Sequence, residues 1–184
     1  MLFQTAAPFA SHQWKTKGRV HIMLRFIKKY TSMYDYKTVG VYFCSEKKLI
    51  GVPCGKSEIY GYPELDIFLV LESGYGDDEL EMFIERVFNA CFSKECGDVV
   101  KRPGALQKYT GAKSYNAAVK GYHLTVIRWI KDEGYLFVPT EIDKKHKGAF
   151  NYIEDKIIKV PTTHEKGALA KAFRQAMEIT IEHG

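Results

Sequence analysis

The chain has 184 residues, 46% of them hydrophobic and 27% charged, with a formal net charge of +5. That balance fits one soluble globular domain with a real core and excludes a disordered or fibrous chain. No apolar run approaches the ~18–20 residues of a membrane helix. The opening MLFQTAAPFASHQW lacks the basic segment and long apolar core of a signal peptide, so a cytoplasmic protein is expected.

Residues 1–14 show little periodicity and read as an N-terminal arm or edge segment of a single domain over 1–184. Val20 to Ile27 is apolar enough for a strand, flanked by a basic rim. Tyr30 to Tyr36 packs three tyrosines into YTSMYDY, either as core edge or as recognition surface. Val39–Cys44 and Lys48–Val52 read as strands around a Ser45-Glu46-Lys47 turn. Leu65 to Leu71 (LDIFLVL) is nearly all apolar and suggests a central strand. Ser73-Gly74-Tyr75-Gly76 breaks it, and Asp77 is placed to cap a helix whose buried face is Leu80, Phe83, Ile84, Val87, Phe88 and Cys91. Gly97 is the expected stop.

Asp98 to Lys113 looks like a loop, and Ser114 can cap a short helix ended by Gly121. In Tyr122 to Ile130 the apolar residues fall on both parities. Leu124, Val126 and Ile130 face one way, Ile127 and Trp129 the other, as in a strand covered on both sides. Asp132-Glu133-Gly134 turns the chain into Tyr135–Val138, which Pro139 should stop. Ile157–Val160 is another strand. Thr162 and Glu165 have capping-box spacing before a helix with the stripe Leu169, Ala172, Phe173, Ala176 and Met177. The expected class is α+β: a mixed, largely antiparallel sheet with a few packed helices.

The charge is unevenly distributed. Residues 1–57 carry a net +8, residues 58–85 carry nine acids and no lysine or arginine, and residues 86–184 carry +6. The acids admit two readings. They are a solvated face neutralised by neighbours in the fold, with four at a helix N-terminus where the dipole favours them. Alternatively they form an anionic patch that speeds encounter with a cationic partner. The contacts expected of such a patch are Glu72, Asp77, Asp78, Glu79 and Glu81, with Tyr60, Tyr62 and Tyr75 as desolvated anchors.

Catalytic signatures are missing. There is no phosphate-cradling glycine loop and no nucleophile elbow. Cys44 and Cys54 are ten apart and Cys91 and Cys96 five apart, so no C-x-x-C pair exists, and neither a metal nor a cofactor is expected. A magnesium nuclease could be assembled from Glu154-Asp155-Lys156, read as opening a strand, with Glu64 or Asp66; such triplets are common by chance. Basic clusters at Lys15, Lys17, Arg19, Arg25, Lys28 and Lys29, and at Lys144, Lys145, His146 and Lys147, keep a nucleic-acid-binding module as the alternative.

The segments Tyr122-HLTVIRW-Ile130, Tyr135-LFVP, Lys147-GAF, Lys156-IIKVP and Lys166-GALAKAFRQAMEI follow one another over roughly the last 70 residues. In this order they resemble the immunity proteins of bacterial contact-dependent growth inhibition (CDI) systems. In that family a tryptophan-bearing strand, a strand ending in proline, a glycine-aromatic loop, a further strand and a terminal helix beginning near a glycine follow one another. The resemblance implies a non-enzymatic cytoplasmic protein that binds a cognate toxin domain, often a nuclease, and occludes its active site. It brings no catalytic residues. A net positive inhibitor is an unusual match for a basic nuclease, which is why exposure of residues 58–85 matters.

Overall fold

The computed structural model describes residues 35–57, 59–96 and 102–184. The proposed arm, the Val20–Ile27 strand, most of the tyrosine run and Gly97 lie outside them. Strands β1 (Tyr36–Phe43), β2 (Leu49–Pro53) and β3 (Leu69–Leu71) come first. Helices α1 (Asp77–Asn89), α2 (Ala105–Thr110) and α3 (Tyr115–Ala118) follow. Then come β4 (His123–Ile130), β5 (Gly134–Ile142), β6 (Phe150–Tyr152), β7 (Ile158–Val160) and the terminal α4 (Ala168–His183).

The strands form one sheet in the order β3-β2-β1-β4-β5-β6, with β7 also paired to β5, and every pairing between them is antiparallel. The parity of β4 decides the layering. Leu124, Val126 and Ile130 sit in a core shared with Ala105, Leu106, Ala118 and Val119, under α2 and α3. Ile127 belongs to the opposite core with the apolar faces of α1 and α4, and Trp129 packs at its edge. The sheet is therefore covered on both faces, which explains the loss of simple alternation in β4.

Both long helices bury most of the faces expected of them, including Leu80, Phe83, Ile84, Val87 and Phe88 on α1 and Leu169 to Met177 on α4. The first ends earlier than expected, at Asn89 with Ala90 as C-cap, so Cys91 is buried beyond the helix and Gly97 is not its stop. Close approach of α1 to the sheet depends on Gly51 in β2. An added Cβ there would lie 2.4 Å from Val87 Cγ2 and 2.9 Å from Phe83 Cζ.

Several local expectations are corrected. Leu65–Leu71 is no central strand: only Leu69–Leu71 pairs, at the sheet edge beyond β2. Leu65 is instead buried after an isolated bridge between Cys54 and Glu64. Part of the expected loop before Ser114 is helical, as α2, ended by Gly111 in the left-handed conformation. Ser114 does cap α3, its Oγ accepting the Ala117 N–H at 3.3 Å. Pro139 does not stop β5. Its carbonyl accepts the Ile153 N–H at 3.0 Å, so its ring nitrogen faces the gap between β7, which ends its pairing at Phe137, and β6, which begins at Thr140. No ladder donor is lost there.

The capping of α4 is the largest departure. Thr162 and Glu165 form no box; the helix starts later, with Gly167 as N-cap at φ 87°. The free N–H groups of its first turn are taken by Glu81 of α1. Its Oε2 accepts from Gly167 at 2.9 Å, and its Oε1 accepts from Leu169 at 2.9 Å and Ala170 at 3.4 Å.

Candidate partner-binding surfaces

Most of the described acids between residues 59 and 85 are engaged by their own chain; Glu85 is exposed. Gly76, not Asp77, is the N-cap of α1, with Glu79 Oε2 accepting the Gly76 N–H at 2.8 Å. Asp77, thereby moved inside the helix, meets Arg174 Nε at 2.9 Å, and Asp78 meets Lys166 at 2.7 Å. Glu72 pairs with Lys48 at 2.8 Å. Asp66 is held by Lys108, Lys94 and Arg102, with Lys108 the strongest influence, and its carboxyl lies well below the usual range. Three cations thus surround that carboxylate. Glu154–Lys156 forms a 3-10 turn and opens no strand, contrary to the nuclease expectation. No group of three or more metal-ligating side chains converges among the described residues.

The expected anchors differ in what they offer. Tyr60 is 47% exposed, in a turn where Ser57 Oγ accepts its N–H at 3.2 Å. Tyr62 is half-buried against Tyr36 and Phe92, with ring centroids 4.8 and 6.2 Å away, so it serves the core edge. Tyr75 is half-buried beneath the Arg174 guanidinium, 5.3 Å from its ring centre. The structure thus gathers Tyr75, Asp77, Asp78 and Glu81 at the adjoining N-termini of α1 and α4, together with Arg174 and Lys166. The result is a mosaic of both signs. A cleft of about 520 Å³ there is lined mainly by charged groups, including Glu165, Lys171 and Glu178. A second cleft, between α1 and β4–β5 and lined by Lys37, Glu85, Phe88, Asn89, Trp129 and Tyr135, holds about 250 Å³. That is below the ~300–1,000 Å³ of small-molecule sites.

A different surface lies across the sheet, on the face carrying α3. The loop from β5 to β6 is wound around Asp143, whose Oδ1 accepts the N–H groups of Lys145 at 2.7 Å and His146 at 3.2 Å. Its Oδ2 contacts His146 Nδ1 at 3.0 Å, the main cause of its lowered pKa. Gly148, at φ 80°, lets the loop press on α3: a Cβ there would stand 2.3 Å from Asn116 Oδ1. Lys144, Lys145 and Lys147 project from this fixed loop, exposed and without an ion-pair partner among the described residues.

The floor beside the loop is aromatic. Tyr115 of α3 is 38% exposed, and its hydroxyl lies 3.3 Å from that of Tyr42. Tyr42 in turn donates to Glu64 Oε1 at 2.9 Å. Some of Glu64 reaches solvent, but its carboxyl group is enclosed over Gly40, whose absent Cβ would fall 2.8 Å from Oε1. Desolvation raises that carboxyl to about 7, against a smaller opposing effect of the Tyr42 hydrogen bond. Tyr152 is 36% exposed with Arg128 stacked 4.7 Å over its ring, and Ile142, opposite Phe150 in the ladder, is 45% exposed. The basic residues between 15 and 29 lie outside the described residues.

In sequence the 144–147 cluster reads only as basic, and the buried aspartate that shapes it does not stand out. The signal was present as Asp143 followed closely by His146 and Gly148, the composition of a side-chain-to-backbone turn.

No family model and no curated protein matches this sequence. By structure, the chain is similar to a protein of unknown function from Neisseria meningitidis, at 12% identity with a TM-score of 0.61, over 82% of this chain and 98% of that one. It is also similar to a chain of the CdiA-CT/CdiI toxin and immunity complex from Yersinia pseudotuberculosis. There the identity is 10% and the TM-score 0.54, over 78% of this chain and 97% of that one. At such identities the likeness is one of fold. The fold shared with a chain of that complex takes in most of this chain, beyond the last 70 residues.

Proposed function

We propose that this chain is an immunity protein that binds a cognate CDI toxin domain and neutralises it by covering its active site. The observation that carries the reading is the fold shared with a chain of a toxin and immunity complex along nearly the whole of that chain. The C-terminal motif order supports it independently. In this reading the protein works by complementarity alone and needs no cofactor. Its toxin is a nuclease acting in the cytoplasm, and the immunity protein meets it there. No helix of the described residues is long and apolar enough to cross a membrane.

The acidic face expected from sequence is one proposed contact surface. Because Arg174 and Lys166 share it, a partner docking there would have to match alternating charges, and each broken pair would cost desolvation. The test of the function is co-expression with the cognate toxin domain, which this reading expects to be encoded beside this protein. Survival of host cells only when this protein is present is the expected result. Equal killing with and without it removes the reading.

A further inference from the structure

We propose that the toxin docks on the cationic face built by the β5–β6 loop and α3, and that it presents there an acidic segment carrying an apolar side chain. This rests on the immunity reading and specifies its partner surface.

Three observations carry it. First, the charges there are uncompensated. Asp77 and Asp78 of α1 are ion-paired with Arg174 and Lys166, whereas Lys144, Lys145 and Lys147 have no ion-pair partner among the described residues. The undescribed residues cannot supply many, since residues 1–34 contain no aspartate or glutamate and only Glu58 and Asp98 remain elsewhere. Glu154 and Asp155 lie past the far end of β6 from the loop. Charges left free in the folded monomer are the ones that steer an encounter.

Second, the face is pre-organised. Asp143 fixes the loop backbone through two N–H groups, and Gly148 seats it against Asn116. The Tyr115 hydroxyl is held by Tyr42, so little side-chain freedom remains to be lost there on docking. Third, the uncharged part suits a protein more than a nucleic acid. Arg128 already covers one face of Tyr152, which leaves no open stacking platform on that side. Ile142, at 45% exposure, offers a base no hydrogen bond but offers an apolar side chain a contact. Aromatic edges around an exposed aliphatic, rimmed by lysines, have the composition of a protein contact.

The experiment measures association of the wild-type toxin domain with three forms of this protein at low salt. They are the wild type, the patch variant K144E/K145E/K147E, and a control K56E/K156E/K159E with the same change in net charge. Unfolding midpoints confirm that all three are folded. Wild-type binding with the patch variant slowed about tenfold or more, and the control by less than about threefold, is the expected result. I142A should then speed dissociation several-fold with little change in association. Wild-type binding with both triple variants equally affected overturns the surface while leaving the immunity reading intact. No binding by the wild type removes both. A single-stranded RNA oligonucleotide is titrated in parallel. RNA binding lost in the patch variant while toxin association is unchanged overturns the proposal in favour of a nucleic-acid face.

Discussion

Glu81 and Leu169 are 88 residues apart, yet the Glu81 carboxylate accepts the Leu169 backbone N–H at 2.9 Å. With Gly167 and Ala170 bonded to the same side chain, one acid of α1 satisfies most of the orphan donors of α4. It also places negative charge at the positive end of that helix. An acid that reads in sequence as part of a docking patch is thus a structural clamp between the two long helices.

The first prediction follows from that clamp. Glu81→Ala should lower stability by about 1–3 kcal/mol, since a charged acceptor and a helix cap disappear together. Asp78→Ala removes only the exposed pair with Lys166 and should cost at most about 1 kcal/mol. Urea unfolding checks both, with a midpoint shift at unchanged slope expected for Glu81→Ala. Equal small shifts for the two variants would show that Glu81 does not cap α4.

Much of the fold was legible because it depends on local pattern. The two-sided parity of β4, the buried stripes of α1 and α4 and the Ser114 cap are all set within a few residues. Leu65–Leu71 misled because its apolar residues are divided between a buried loop position and a short edge strand. The acids misled in a similar way. Asp77, Asp78 and Glu81 find partners about ninety residues later, on a helix whose position no local pattern gives. The Asp143 turn was local, but its lysines drew the reading toward charge and away from the aspartate beneath them.

Gly51 makes the second test. Gly51→Val should destabilise by about 1–3 kcal/mol or more, because its side chain would meet Val87 and Phe83 on a helix pinned to the sheet. Gly76→Ala, with the nearest atom 3.9 Å away, is the tolerated comparison. Thermal unfolding of the two variants separates them.

Glu64 gives a pH dependence. Its folded pKa of about 7 exceeds its ordinary 4.5, so between those values the native state holds more protons than the unfolded one. Stability contributed by the neutral carboxyl is full below about 4.5 and is lost as pH rises to about 7. The span is of order 3 kcal/mol at most. Glu64→Gln should flatten this part of the stability profile. Tyr42→Phe should move the loss to higher pH, since the Tyr42 hydrogen bond favours the carboxylate. Urea midpoints from pH 4 to 8 decide it; a wild-type profile flat across that range would show that Glu64 titrates normally.

Asp66 acts in the opposite direction. Lys108 and Lys94 depress its carboxyl, so the stability it contributes is present above about pH 4 and fades as pH falls further. Asp66→Asn should cost about 2–3 kcal/mol at neutral pH, less than a fully buried pair because both lysines stay partly in water. It should also remove part of the acid-side slope. A variant as stable as wild type at pH 7 would mean that the three cations contribute nothing net.

The last prediction separates the two proposed contact surfaces without altering net charge. In the variant D78K/K166E the pair at the junction of α1 and α4 is inverted but kept. A single Asp78→Lys should be destabilised by up to about 1 kcal/mol by facing Lys166, and the second change should restore most of that. Both residues are exposed, so the inverted pair should remain folded and its far field should change little. If the toxin docks on the cationic face across the sheet, its association and dissociation rates with this variant should match wild type within about threefold. If it docks on the acidic face, the inverted pair puts like charges against whatever the toxin presents there. Dissociation should then quicken by tenfold or more, as expected when a contact charge is reversed. Surface plasmon resonance at low and moderate salt reads the difference directly. Rapid dissociation of D78K/K166E, with the K144E/K145E/K147E variant binding normally, would move the interface to the N-termini of α1 and α4.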